Sequence, residues 1–193
     1  MRLYLSSYRF GRRSVALARQ GGRAAIVTNA LDVYSNRLLC WDREVDDLAR
    51  LGYTSTELDL RDFWTSPGRL SRRLRDVDLL WVVGGNAFVL ARAATAAGLR
   101  DALRRTPHLT YAGYSAGAVL TSVDLQGIDT MDNPDALPDG YTVDMPALSL
   151  ALSGTRLVPH AGSAEAVVAE WELQVASLDY IALADGEDKL IGH

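Results

Sequence analysis

The chain carries one cysteine, Cys40, among 193 residues. No intramolecular disulfide can form, and a zinc site built from clustered cysteines is excluded. Cys40 lies in Asn36-Arg-Leu-Leu-Cys-Trp41, an apolar stretch of an expected helix, where packing is its expected role. No apolar run approaches the ~18 residues of a membrane-crossing helix. The amino terminus reads as a strand and lacks the charged start, apolar run and cleavage site of a secretory leader. Cytoplasmic residence without a membrane partner is therefore the expectation. Strong charge is missing too. The net value of −4 argues against nucleic acid as the main partner. Lysine is almost absent, Lys189 being the only one among 20 cationic side chains. The arginines Arg69, Arg72, Arg73 and Arg75 recur at helical spacing, as on a solvated face.

What remains is the composition of an ordinary globular protein, with 48% hydrophobic and 23% charged residues. Residues 1–193 read as a single domain, without an internal repeat or interdomain linker. Strand and helix patterns alternate along it. Leu3 to Ser6, Ala24 to Thr28, Thr54 to Leu58, the run ending at Val83 and the run ending at Tyr114 read as strands. Helices are expected from Ser14 to Gln20, from about Ser35 to Leu51 with Leu38, Trp41, Val45 and Leu48 on one face, after Ser66-Pro67, from Ala87, and from Ser163 to about Val175. Tyr180 to Ala184 is a late strand. Such alternation implies an α/β domain with a largely parallel sheet. Between Thr121 and Ser153 the pattern lapses into turn formers and acids, a long irregular segment that could wall a cleft.

The strand leading to Tyr114 breaks into Gly113-Tyr-Ser-Ala-Gly117, a Gly-x-Ser-x-Gly pattern. It marks a nucleophile elbow, in which a strand delivers Ser115 to a tight turn and the next helix points its amides at whatever the serine attacks. About thirty residues earlier, Asp78-Leu-Leu-Trp-Val-Val83 reads as a buried parallel strand ending in Gly84-Gly85-Asn86. Bare glycine backbone there can approach a ligand or a developing oxyanion. Both strand ends fall at one edge of a parallel sheet, where α/β proteins bind ligands.

Histidine is scarce as well: His108, His160 and His193 are all there are. His108 precedes the elbow strand and belongs at its far end, and His193 is the terminal residue. If Ser115 needs a base, His160, following Thr155-Arg-Leu-Val-Pro159, is the one in position. An orienting carboxylate should fix its tautomer. Spacing does not choose among Asp124, Asp129, Asp132, Asp135, Asp139 and Asp144.

These segments together resemble peptidase family S51, serine peptidases that include aspartyl dipeptidases. Leu3-Tyr-Leu-Ser-Ser-Tyr-Arg-Phe-Gly11 is similar to the family's opening strand and loop. Gly84-Gly85-Asn86-Ala-Phe88 and Gly113-Tyr-Ser-Ala-Gly-Ala118 are similar to its glycine loop and elbow. Asp129-Thr-Met-Asp-Asn-Pro134, Pro159-His160 and Ala182-Leu-Ala-Asp-Gly-Glu187 follow in the family's order. The resemblance implies a three-layer α/β/α sandwich related to class I glutamine amidotransferases. It implies Ser115 as nucleophile, His160 as base, and Asp132 as third member with Asp129 as runner-up. Gly84, Gly85 and Ala116 would form the oxyanion hole, and Asn86 would touch substrate. A small peptide is the implied partner, and no cofactor or metal is implied. Two departures stand out. Ala161 to Trp171 lacks the basic residues by which aspartyl dipeptidases hold an acidic side chain, and presents Glu165 and Glu170 instead, which puts an aspartate preference in doubt. The family pattern also continues for a strand or two beyond the Asp-Gly turn. An α/β-hydrolase esterase is the second reading, disfavoured because only 78 residues follow Ser115. A binding protein on the same scaffold is the third.

Overall fold

The computed structural model describes residues 1–35, 37–66 and 68–192. The chain runs through β1 (Leu3–Ser6), β2 (Gly22–Val27), α1 (Arg37–Arg50), β3 (Tyr53–Glu57), α2 (Gly68–Leu74), β4 (Leu79–Val82), α3 (Ala87–Ala96), α4 (Leu99–Arg104), β5 (Thr110–Tyr114), α5 (Ala116–Val119), β6 (Arg156–Val158), α6 (Ala164–Val175), β7 (Tyr180–Ala182) and β8 (Asp188–Ile191). Six strands form one sheet in the order β3-β2-β4-β5-β1-β8. The first five are parallel, and β8 closes the edge antiparallel to β1. β6 and β7 form a separate parallel pair.

The layering follows from strand periodicity, since successive side chains point to opposite faces. Leu3, Leu5, Ala25, Val27, Leu80, Val82 and Tyr111 pack into one core with the apolar sides of α2, α3, α4 and α5. Their neighbours in sequence, Tyr4, Ala24, Ile26, Leu79, Trp81 and Ala112, pack on the other face against Leu48, Trp41 and Val45 of α1. The fold is therefore the α/β sandwich with a mostly parallel sheet that the sequence implied. Within the α1 layer sits a fully buried carboxylate, Glu44. It accepts hydrogen bonds from Trp81 Nε1 (2.8 Å), the Tyr114 hydroxyl (2.9 Å) and Arg43 Nη2 (2.8 Å). That clamp joins the ends of β4 and β5, the two strands that carry the glycine loop and the elbow.

Several expectations need adjusting. Ser14 to Gln20 holds one 3-10 turn, Ser14–Leu17, not a helix, because the chain turns back at Gly21 (φ 69°) to enter β2. The helix expected from Ala87 breaks at Gly98 (φ 67°) into α3 and α4. The late strand β7 does not join the main sheet, and β8 was not foreseen. Between 121 and 153 the structure is irregular apart from the 3-10 turn Ile128–Thr130, as expected. Arg69 and Arg72 are exposed on α2 and Arg75 just past its end, while Arg73 is half-buried and donates to Thr56 Oγ1 (2.6 Å). Pro67, the Leu38 side chain and His193 lie outside the described residues.

Candidate active site

Ser115 stands between β5 and α5 with φ 48° and ψ −119°. A non-glycine residue seldom adopts such a backbone, which costs on the order of 1–3 kcal/mol. Two bonds from Ser115 N–H, to Ser6 O (3.1 Å) and Ser7 O (3.0 Å), help to hold it. The flanking glycines are steric requirements. A Cβ on Gly113 would lie 2.7 Å from the Gly117 carbonyl, and one on Gly117 would collide with Val82 O. The preceding loop closes over the elbow: a Cβ on Gly84 would sit 2.9 Å from Ser115 Cβ, and one on Gly85 (φ 139°) would strike Ala30 O. The Gly84 N–H faces the Tyr114 hydroxyl, unlike the oxyanion role expected of it, whereas the Gly85 and Ala116 N–H groups have no acceptor among the described residues. They are free donors beside the serine.

His160 is brought to Ser115 from the end of β6. Its Nε2 lies 3.1 Å from Ser115 Oγ, and its Nδ1 lies 2.8 Å from Asp185 Oδ1. His160 itself has φ 56°, and its backbone N–H donates to Ser7 Oγ (2.7 Å). The Ser7 hydroxyl in turn donates to Asp185 Oδ1 (2.7 Å). One buried hydroxyl thus ties the histidine backbone to the acid. Burial pushes the Asp185 carboxyl up, but the hydrogen bonds from Ser7 and His160 outweigh it and hold the group below its ordinary range.

The carboxylate on His160 Nδ1 is therefore Asp185, where the sequence reading had put Asp132 or Asp129. Asp129 is exposed on the 3-10 turn. Asp132 accepts the Ala87 N–H through Oδ2 (2.8 Å), at the start of α3. It remains close enough to His160 to feel its charge. Asp185 sits in the Asp-Gly turn, a segment the resemblance included without a role for its acid. No local signal places it, because the two short parallel strands that bring it to His160 pair only in space. Val158 is in register with Ala182, so residues just past both carboxyl ends, His160 and Asp185, must be neighbours.

Asn86 is nearly fully buried and serves the fold. Its Oδ1 caps α3 through Phe88 N (3.0 Å) and Val89 N (2.9 Å), and its Nδ2 donates to Asn133 O (3.0 Å). That differs from the substrate contact expected of it. Arg156 could have supplied a positive charge to the cleft, but it pairs with Asp124 (Nε to Oδ1 2.8 Å). His108 lies at the far end of β5, with Nε2 3.2 Å from Arg75 O.

A cavity of about 120 Å³ opens beside the serine, lined by Ser115, Ala116, Val119, Ile128, Met131, Asp132, Pro159 and His160. Ile128, Met131 and Asp132 come from the irregular segment, which does form a wall. Among the described residues no group of three or more His, Cys, Asp or Glu side chains is arranged to hold a metal ion. Nor is any helix among them long and apolar enough to cross a membrane. Chemically, an aligned hydroxyl, imidazole and carboxylate beside free amides can deprotonate a serine and stabilise an oxyanion.

Comparison with known proteins gives the family. Residues 40–186 match the model of peptidase family S51. The uncharacterized peptidase Lmo0363 of Listeria monocytogenes serovar 1/2a (strain ATCC BAA-679 / EGD-e) is 35% identical over 88 residues, 45% of this chain and 42% of that relative. The alignment thus spans less than half the length of the curated relative. A candidate peptidase E protein from Listeria monocytogenes EGD-e superimposes with a TM-score of 0.74 at 23% identity, over 98% of this chain and 93% of that one. A peptidase from an acI-B1 Actinobacterium gives 0.70 at 17% identity, over 98% and 82%. Those two likenesses speak to the fold. The family match covers most of the chain, including the glycine loop, elbow, histidine and Asp-Gly turn: this chain belongs to peptidase family S51.

Proposed function

We propose that the protein is a serine peptidase acting on short peptides, with Ser115 as nucleophile, His160 as general base and Asp185 as the acid that orients it. The observation that carries this reading is the unbroken line from Ser115 Oγ through both ring nitrogens of His160 to Asp185, at 3.1 and 2.8 Å. Asp185 keeps the proton on Nδ1 and leaves the Nε2 lone pair for the serine. As Oγ bonds to the scissile carbonyl carbon, its proton passes to Nε2, and the carbonyl electrons move onto oxygen. The free amides of Gly85 and Ala116 would receive that oxyanion. Collapse expels the amine, which takes the proton from His160 and leaves an acyl-serine. Water, deprotonated by His160, then releases the acid.

The small cavity supports short substrates over folded chains. A single cysteine suits a reducing compartment, so a cytoplasmic setting is part of this reading. The test is a mixed dipeptide and tripeptide library digested by wild type and Ser115→Ala, with product masses read out, alongside labelling of Ser115 by a fluorophosphonate. Serine-dependent release of defined fragments supports the assignment. Equal cleavage by both proteins would refute the nucleophile.

A further inference from the structure

The Gly85 amide that faces the oxyanion belongs to a pair of glycines, Gly84-Gly85, whose backbone rotates at little cost. The chain is fastened on either side of the pair, Val83 N–H on Val27 O (3.1 Å) and Asn86 N–H on Ala30 O (2.8 Å). Between those points it lies against Tyr114. A Cβ on Gly84 would stand 2.8 Å from Tyr114 Cε2, so the bare Cα rests on the ring, and the Gly84 N–H faces the hydroxyl.

That hydroxyl is in turn set by Glu44. A phenol has one proton, and here it goes to Glu44 Oε1 (2.9 Å). The same fully buried carboxylate accepts from Trp81 Nε1 on Oε2 (2.8 Å) and from Arg43 Nη2 on Oε1 (2.8 Å). A carboxylate only accepts, so the Tyr114 proton stays on the Glu44 side. The phenol oxygen is left to receive, from Arg43 Nη2 (3.2 Å) and on the Gly84 side. Burial first, and the Glu44 charge second, push the hydroxyl far above its ordinary pKa, so the proton is kept. Apolar side chains of similar volume would join β4 and β5 at no greater cost than a buried charge. They would not present a fixed acceptor to Gly84. Resting on the peptidase reading, we infer that Glu44 and Tyr114 are positioning residues for the oxyanion hole: the carboxylate aims the phenol, the phenol holds the Gly84 peptide, and the Gly85 amide is thereby presented to the oxyanion.

Two variants, singly and together, test this. Tyr114→Phe removes the hydroxyl and keeps the ring under Gly84. Glu44→Gln keeps the shape but gains a donor. Trp81 Nε1 can only donate, so it takes the amide oxygen, and the amide NH2 falls on the Tyr114 hydroxyl, turning its proton toward Gly84. Each variant should lower kcat on the dipeptide that wild type cleaves best by about 10- to 100-fold, the scale of a misaimed group. KM should stay unchanged, as should binding of that dipeptide to the Ser115→Ala form. The rate at which a fluorophosphonate labels Ser115 should fall by the same factor, because its phosphoryl oxygen uses the same amides. The double variant should be no slower than Tyr114→Phe, since Glu44 acts through the hydroxyl. A merely structural pair would lower the denaturation midpoint and leave kcat of the folded protein intact. Wild-type kcat in Tyr114→Phe, a double variant slowed by the product of the single losses, or a loss confined to binding would each overturn the inference. Tyr114→Phe keeps the other two partners of Glu44 and decides alone if Glu44→Gln does not fold. If wild type cleaves no peptide but labelling of Ser115 still follows the Tyr114 hydroxyl, the peptidase reading falls and the positioning stands.

Discussion

Ser7 is the least conspicuous residue of the site and one of its most constrained. Its hydroxyl accepts from His160 N–H and donates to Asp185 Oδ1, so it sets the spacing of base and acid together. Replacing it with alanine leaves the histidine N–H unpaired and the acid free to turn. The expected result is a fall in kcat of about 10- to 100-fold with KM little changed, at a stability cost of about 1–3 kcal/mol. Steady-state kinetics beside a denaturant melt separates the two effects, and an unchanged kcat would make Ser7 merely structural. Asp185→Asn should cost far more, about 10⁴ in kcat, because the amide favours the wrong imidazole tautomer. Asp129→Asn should cost nothing measurable, and a large loss there would refute the assignment of Asp185. Ser115 and His160 were legible in the sequence because each stands in a local pattern or is rare. The acid was not. A triad closes in space, and Asp185 reaches His160 only through pairing of two three-residue strands that no local signal announces.

At the level of elements, the elbow is a packing solution. β5 must pass under α5 so closely that neither Gly113 nor Gly117 can bear a side chain, and Val82 of β4 forms the floor. Gly117→Ala should therefore act on folding as well as on activity. Overpacking of this kind costs about 1–3 kcal/mol, read as a lower chemical-denaturation midpoint. A stable, fully active alanine variant would show that the backbone has room to shift. Asn86→Ala removes an α3 cap and the bond to Asn133 that braces the loop bearing Asp132. Cap loss alone costs about 0.5–2 kcal/mol. The apolar run of β4 and the helix start at Ser163 were readable because their signals are local, whereas Asn86 was read as a substrate contact and is a cap. β8 was missed because Asp188-Lys-Leu-Ile is short and mixed, and it becomes a strand by bonding to β1, almost the whole chain away. The same contact sets the turn carrying Asp185, with Ser7 N–H donating to Glu187 O (3.2 Å).

Across the whole molecule, the site carboxylates pull stability in opposite directions with pH. Asp185 is held below its ordinary range, so its contribution is present above about 3.9, the unfolded value, and is lost as pH falls through the folded one. Its side chain is 60% exposed, and solvent screening keeps that contribution small. Asp132 is shifted the other way, because burial favours its protonated form. The folded protein then binds that proton more tightly than the unfolded chain, and stability declines as pH rises from about 3.9 through the raised folded value. At neutral pH the charged Asp132, whose burial outweighs the Ala87 N–H and His160, is therefore a cost to the fold. Asp132→Asn should denature at higher urea than wild type at pH 7, and the gap should close as pH falls through the raised folded value. A wild-type protein at least as stable as Asp132→Asn at pH 7 would mean that His160 and the Ala87 N–H offset the burial of the carboxylate.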